Sequence, residues 1–351
     1  MGIMIWVRGA RPKTLPLSLV PVCIGATLSW PGVFRYSQGG TASHSPCPMF
    51  GGQRDLGSES VGICATSVGW YVAVTLLCAG VALFVQIATN FANDYSDGIR
   101  GTDEGRDARQ PEGASPARLV ASGVPPKQVL TAAAISALLA CICGLLVVAL
   151  TGYWWFIGVG FACLAAGWFY VGGKHPYGYR YMGEPFVFVF FGLAATCGTM
   201  YALSGTVSLS GLWGGTAAGL LAMAVLCVNN LRDLESDMKH GKRTWMGFMG
   251  RSIGTWFAVA LMLAAPTLAT LYCHLLYPTQ WAGAPHNTGE QEIAWNVLIS
   301  TLTMAVFIIL WVLCVAAAIA IRRKKYADAF PLCISSAVAL AAAFACSSMF
   351  M

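Results

Sequence analysis

Asn90-Phe91-Ala92-Asn93-Asp94-Tyr95-Ser96-Asp97-Gly98-Ile99-Arg100-Gly101-Thr102-Asp103 places carboxylates at the point where a long apolar segment ends. A second apolar segment ends in the same way, in Asn229-Asn230-Leu231-Arg232-Asp233-Leu234-Glu235-Ser236-Asp237. Acidic groups at the mouth of a membrane bundle are costly unless something cationic holds them together. Two such clusters facing one cavity point to divalent metal ions carrying a phosphorylated substrate.

The surroundings make this a membrane question. The chain has 351 residues, 57% hydrophobic and only 10% charged, with a mean hydropathy of +0.64. That composition excludes an ordinary soluble domain. Apolar runs of the length that crosses a bilayer recur at about 14–31, 66–91, 128–151, 153–171, 184–205, 209–230, 252–275, 296–321 and 328–350. The expectation is an all-α polytopic membrane protein of nine transmembrane helices. It forms one integral-membrane domain over 1–351, with flexible Gly/Ser/Pro-rich outer loops at about 32–65 and 276–295.

Charge orients the bundle. With the N-terminus in the cytoplasm, 19 of the 21 Lys and Arg fall in cytoplasmic segments, and only Arg35 and Arg54 lie outside. This follows the positive-inside rule, so both acidic clusters face the cytoplasm. The net charge of +6 then reflects topology and anionic lipid rather than nucleic acid. Arg322-Arg323-Lys324-Lys325 reads as a lipid anchor of this kind. Pro16 and Pro21 interrupt the first apolar run, which reads as a span rather than a signal peptide. Most of the 13 cysteines lie inside spans, where a thiol behaves as a small apolar group. Cys47 and Cys64 share an outer loop, and whether they pair stays open.

If the second span continues as a helix, Asn90, Asn93, Asp94 and Asp97 fall at i, i+3, i+4 and i+7 and share a face. Asp233 and Asp237 form a similar i, i+4 comb after the sixth span. Hard oxygen ligands with room for water suit Mg²⁺, usually held by one or two carboxylates plus substrate phosphates. Helix capping is the bland alternative, but two combs on one face of a membrane bundle outweigh it. Asn93-Asp94-x-x-Asp97 and Asn229-Asn230-x-x-Asp233 also echo one another four spans apart, as a duplicated unit would.

A third polar segment, Tyr170-Val171-Gly172-Gly173-Lys174-His175-Pro176-Tyr177-Gly178-Tyr179-Arg180, closes the fourth span. Lys174 and Arg180 offer charge-assisted donors for phosphate or carboxylate, and the tyrosines offer π faces. Lys239, Lys242 and Arg243 follow the second comb, and Arg11-Pro12-Lys13-Thr14 precedes the first span; each is explained equally well as plain positive loop. Glu184 suits a helix N-terminus.

Taken together these segments resemble the UbiA superfamily of membrane-embedded aromatic prenyltransferases. That family has nine helices, acidic motifs after the second and sixth, and a Tyr-x-x-x-Lys pattern near the end of the fourth, matched by Tyr170 and Lys174. The resemblance is strongest to its branch that prenylates 1,4-dihydroxy-2-naphthoate. It is carried by Ala10-Arg11-Pro12-Lys13-Thr14-Leu15-Pro16, Asn93 to Asp103, Arg118-Leu119-Val120-Ala121-Ser122-Gly123, Pro176-Tyr177-Gly178-Tyr179-Arg180, Gly183-Glu184, and Asn229 to Asp233 with Gly241-Lys242-Arg243-Thr244.

The resemblance implies two Mg²⁺ ions held by Asp94, Asp97, Asp233 and Asp237 against a polyprenyl diphosphate, with Asn90, Asn93, Arg118, Tyr177, Arg180, Asn230, Lys242 and Arg243 binding substrate. Tyr170 and Lys174 would assist catalysis. The superfamily's further Asp would fall at Gly101; the naphthoate branch shifts it, which makes Asp103 the counterpart. The implied reaction moves a polyprenyl group to the naphthoate ring with loss of CO₂, giving demethylmenaquinone, in the plasma membrane of a bacterium. A homogentisate or 4-hydroxybenzoate acceptor is the alternative within the superfamily. A CDP-alcohol phosphotransferase fits Asp94, Asp97 and Gly98 but requires Ala-Arg where Gly101-Thr102 stand. A transporter would set its carboxylates nearer the bilayer midplane.

Overall fold

The computed structural model describes residues 3–34, 68–101, 118–171, 176–276 and 290–348. Asp103, Lys174, Cys47, Cys64 and most of the two outer loops lie outside them. Among the described residues the secondary structure is helical, with a single isolated bridge between Arg180 and Arg243.

The helices are α1 (Ile3–Gly9), α2 (Leu15–Phe34), α3 (Val68–Ile99), α4 (Pro126–Thr151), α5 (Phe156–Val171) and α6 (Gly183–Ser204). They continue with α7 (Leu209–Arg232), α8 (Leu234–Lys239), α9 (Trp245–Leu276), α10 (Glu290–Arg322) and α11 (Tyr326–Ser348). Among the described residues eight helical stretches are long and apolar enough to cross a membrane, beginning with Met4–Pro31.

The expected fourth span is the exception to nine: α5 has 16 residues, about 24 Å at 1.5 Å per residue, short of the roughly 30 Å hydrocarbon core. Its packed side is narrow, with Phe161, Trp168 and Phe169 exposed. The turn expected near Gly152 is present. Gly152 ends α4 with φ 74°, its N–H on Val148 O at 2.8 Å, a left-handed geometry that favours glycine.

Other boundaries move outward from the apolar runs. Helix α3 runs on through the acidic stretch to Ile99, α10 starts at Glu290 inside the expected loop, and α9 starts at Trp245 with a break at Gly250. Hydropathy marks only the part of a helix that lies in hydrocarbon; hydrogen bonding carries the helix further into polar surroundings.

The core gathers α7, α9, α10 and α11 against α2, with fully buried Leu221, Met262, Leu310, Ile321 and Phe344. Helices α3 and α4 pair beside α2. Association within lipid depends on close packing rather than on exclusion of water, so small residues sit at crossings. Helix α6 contains a π-helical turn, Val189–Ala194, that presents Gly192 to α7. A Cβ on Gly192 would lie 2.6 Å from the Gly215 carbonyl oxygen and meet the Gly219 backbone as well. Gly192→Val therefore separates α6 from α7. We expect a clearly lower melting temperature in detergent, in line with the 1–3 kcal/mol typical of overpacking; an unchanged melting curve would contradict this crossing.

Candidate active site

Helix α3 ends in Asp94 and Asp97, both buried. A helix C-terminus carries partial negative charge, so acidic side chains there are unfavourable on electrostatic grounds as well as by burial. The surrounding chain supplies the compensation. Arg11 forms an ion pair with Asp94 Oδ1. Arg118 lies 3.4 Å from the same oxygen and 3.5 Å from Asp97 Oδ2. The Leu119 backbone N–H donates to Asp94 Oδ2 at 3.3 Å, and the Tyr179 hydroxyl donates to Asp97.

Arg11 reaches Asp94 from the α1–α2 junction, where its own φ of 56° and ψ of 65° lie in the left-handed region. A non-glycine residue adopts that region at a cost and persists there when its surroundings hold it. One turn earlier on α3, Asn90 donates to the Ala10 carbonyl at 2.9 Å and accepts from Gln86 at 3.2 Å. The end of α3 is thereby fastened to the first helix pair. Asn93, next along, is half-buried.

The second cluster is built differently. Helix α7 stops at Asp233, which is half-buried and paired with its neighbour: Arg232 Nε and Nη2 each donate to it at 3.0 Å. Asp237, in α8, is buried and lies 3.6 Å from Lys242 Nζ. Lys242 is also within electrostatic reach of Asp97, and stands 5.7 Å above the Tyr179 ring. Burial works against its charge, but the Asp237 and Asp97 carboxylates outweigh it and hold the pKa above the ordinary lysine value. Lys242 therefore stays charged and joins the two acidic clusters.

Two loops meet here through the backbone. The Arg243 N–H donates to the Tyr179 carbonyl at 3.1 Å and the Tyr181 N–H to the Arg243 carbonyl at 2.9 Å. The Trp245 indole donates to the Tyr181 carbonyl at 2.7 Å. Buried Glu184 completes the junction. Its Oε1 accepts from the first N–H of α9, at Trp245 (3.1 Å), and from Asn230 Nδ2 (3.0 Å). It thus serves a helix N-terminus, though that of α9 rather than of its own helix. The side chains of Arg180 and Arg243 are exposed, and their backbones make the junction.

Tyr170 ends the packed part of α5 within electrostatic range of Lys242, Glu184, Asp97 and Asp237. From it a run of rings leads away. Tyr177 is edge-on to Tyr170 at 5.5 Å and tilted by 32° against Phe186 at 4.2 Å, and Phe186 stacks on Phe190 at 5.4 Å. The Tyr177 hydroxyl donates to the Ala166 carbonyl; burial pushes it well above the ordinary phenol range.

The structure thus brings Asp94, Asp97, Asp237, Arg118, Lys242 and Tyr170 into one electrostatic cluster. Asp233 and Asn230 stand at its edge with Arg232 and Glu184 as partners. Arg11 and Tyr179 belong to its centre, although the sequence left Arg11 undistinguished from loop charge and gave Tyr179 no partner. The signal for Arg11 was its proline-flanked position; what it contacts depended on tertiary structure.

A model of the UbiA prenyltransferase family matches residues 60–287. The chain belongs to the UbiA prenyltransferase family. It is 36% identical over 278 residues to the 1,4-dihydroxy-2-naphthoate octaprenyltransferase of Mycobacterium leprae, covering 79% of each chain. The protein of that name from Mycobacterium tuberculosis is 37% identical over 273 residues, covering 74% of this chain and 79% of that one. The one from Escherichia coli is 30% identical over 274 residues, with 76% and 75% covered.

The fold agrees. A UbiA homolog from Aeropyrum pernix superposes with a TM-score of 0.55 at 15% identity, over 93% of this chain and 98% of that one. One from Archaeoglobus fulgidus, bound to DMAPP and Mg²⁺, gives 0.51 at 15% identity, over 96% and 99%. The chain is therefore a multi-pass membrane prenyltransferase.

Glu184 offers a direct check on this architecture. Glu184→Leu strands the Trp245 N–H and the Asn230 amide, at about 1–3 kcal/mol for each unsatisfied buried group. Glu184→Gln keeps an acceptor. Melting temperatures in detergent should fall in the order wild type, Gln, Leu, with the larger step at Leu; equal stability of wild type and Glu184→Leu would contradict the junction.

Proposed function

We propose that this protein transfers a polyprenyl group from its diphosphate to 1,4-dihydroxy-2-naphthoate, with loss of CO₂ and release of diphosphate, giving demethylmenaquinol, the hydroquinone form of demethylmenaquinone. The observation that carries the reading is the convergence of two acidic helix ends, Asp94/Asp97 and Asp237, around Lys242 in a UbiA chain. The relatives named for that acceptor support the choice of naphthoate.

The donor set fits Mg²⁺. Among the described residues no three acidic, His or Cys side chains form a cage of their own. That suits an ion held by one or two carboxylates and completed by substrate phosphates. Asp94, Asp97 and Asp237 would hold it, with Asp233 and Asp103 as further candidates and two ions as the expected number. Mg²⁺ would supply charge neutralisation for the departing diphosphate.

The chain's own groups do the rest. Arg118, Lys242 and Lys174 would bind diphosphate oxygens as charge-assisted donors, and Asn90, Asn93, Asn230, Arg180 and Arg243 are further candidates for binding substrate. When the allylic C–O bond breaks, the diphosphate leaves with the electron pair and an allylic cation remains. Tyr170, with Tyr177, Phe186 and Phe190 beyond it, gives that cation π faces, worth roughly 1–2 kcal/mol each, and keeps water away. The electron-rich naphthoate ring attacks the cation, and the carboxylate leaves as CO₂ to restore aromaticity. The positive-inside charge pattern supports a cytoplasmic active site and N-terminus, in the plasma membrane of a bacterium.

Purified protein with Mg²⁺ and a polyprenyl diphosphate should turn over dihydroxynaphthoate with release of CO₂. Turnover with homogentisate or 4-hydroxybenzoate instead would overturn the acceptor assignment. Asp94→Ala and Asp97→Ala should each lower kcat/KM by at least about 1,000-fold, roughly 4 kcal/mol of transition-state stabilisation, while the protein still accumulates in the membrane. Near-normal turnover of either variant would remove the metal role of that carboxylate.

A further inference from the structure

Among the described residues three carboxylates of the cluster pair with cations: Arg11 and Arg118 on Asp94, Arg118 also on Asp97, and Lys242 on Asp237. These cations sit on the oxygens that a divalent ion would use. Burial makes the pairing consequential: the Asp94 side chain is 0% exposed, Arg11 16% and Arg118 12%. A metal ion arriving alone must displace cations whose side chains are largely buried, Lys242 being 24% exposed. A buried charge stripped of its partner is strongly destabilising, by more than the intact pair stabilises. Displacement becomes favourable when an anion arrives together with the metal. Arg11 is already incompletely served, since its Nε is buried without a hydrogen-bond partner, and its left-handed backbone holds it in place.

From this geometry we infer that Arg11, Arg118 and Lys242 are exchangeable counter-ions. They neutralise the acidic clusters until metal and diphosphate enter together, and then pass from the carboxylates to the diphosphate oxygens. Arg11 thereby becomes a diphosphate-binding residue, and Mg²⁺ and diphosphate bind as a coupled pair. Each raises the affinity for the other by the same factor, as linkage requires. The inference rests on the proposed function but goes beyond it, because a site with independent metal and phosphate pockets would catalyse the same reaction.

The test is calorimetric titration of the full-length protein in detergent with Mg²⁺ alone, inorganic pyrophosphate alone and the two together, corrected for the complex they form in solution. For the wild type we expect saturating pyrophosphate to tighten Mg²⁺ binding at least 10-fold, and the converse. Arg11→Met and Lys242→Met should change the two ligands in opposite directions, tightening Mg²⁺ alone several-fold while weakening pyrophosphate in the presence of Mg²⁺ about 10-fold. A purely structural role would weaken both ligands together, and that outcome overturns the inference. So does Mg²⁺ binding that is the same in wild type and variants. Failure of the wild type to bind pyrophosphate even with Mg²⁺ would instead remove the functional reading on which the inference stands. Melting curves show which variants are folded, and Lys242→Gln provides a second probe of the same position.

Discussion

The constraint that organises this protein is negative charge held at the C-terminal ends of helices in an apolar bundle. Asp94 and Asp97 oppose the dipole of α3, and Asp233 opposes that of α7. The end of α3 is buried on cations brought from elsewhere in the chain, whereas half-buried Asp233 pairs with its own neighbour Arg232 and the buried acid beyond it is Asp237. Arg11 comes from the α1–α2 junction, Arg118 from the segment before α4, and Lys242 from the loop before α9. Neutralising the carboxylates therefore gathers three separate parts of the sequence at one end of the bundle. In the proposed function those same cations receive the phosphorylated anion, so on that reading the demand of folding and the demand of function coincide.

Much of this was legible from residue order. The apolar runs located the long helices, and the i, i+3, i+4, i+7 spacing placed Asn90, Asp94 and Asp97 on one face, as α3 does. What escaped depended on contacts distant in sequence. Tyr179 read only as one of several tyrosines offering π faces, whereas its hydroxyl serves Asp97. The bond from the Asn230 amide to Glu184 was likewise not visible in the sequence. The fourth apolar run forms α5, whose 16 described residues are fewer than those of the other spans, and composition does not mark where in a run the helix starts. The π-helical turn of α6 likewise leaves no mark in hydropathy; its reason is the close approach of Gly192 to α7.

The loop junction explains how a membrane bundle can hold a polar site steady. Short antiparallel helices in lipid gain little from hydrophobic exclusion, and their ends fray into water. Here the end of α7 and the starts of α6 and α9 are tied by backbone bonds between Tyr179, Tyr181 and Arg243, and by the two bonds to Glu184. Tyr179 and Lys242 come from different loops, yet the junction holds them side by side. A site that must organise a multiply charged ligand gains from such prior ordering, since less freedom is lost on binding.

The echo between Asn93-Asp94-x-x-Asp97 and Asn229-Asn230-x-x-Asp233 now has a physical reading. The motifs align residue for residue, but Asp94 corresponds to Asn230, and the exchange of carboxylate for amide matches the partners. Asp94 accepts, from Arg11, Arg118 and the Leu119 N–H; Asn230 donates, to Glu184. The backbone diverges at the same place. Helix α3 continues past Asp97 to Ile99, whereas α7 ends at Asp233 with φ −93° and ψ 6°. Continuing the helix aims Asp97 into the cluster, where Tyr179 and Arg118 meet it. Ending it lets α8 turn and bring Asp237 to Lys242. The two halves thus share a motif and use it differently: one supplies its second acid from the same helix, the other from the next.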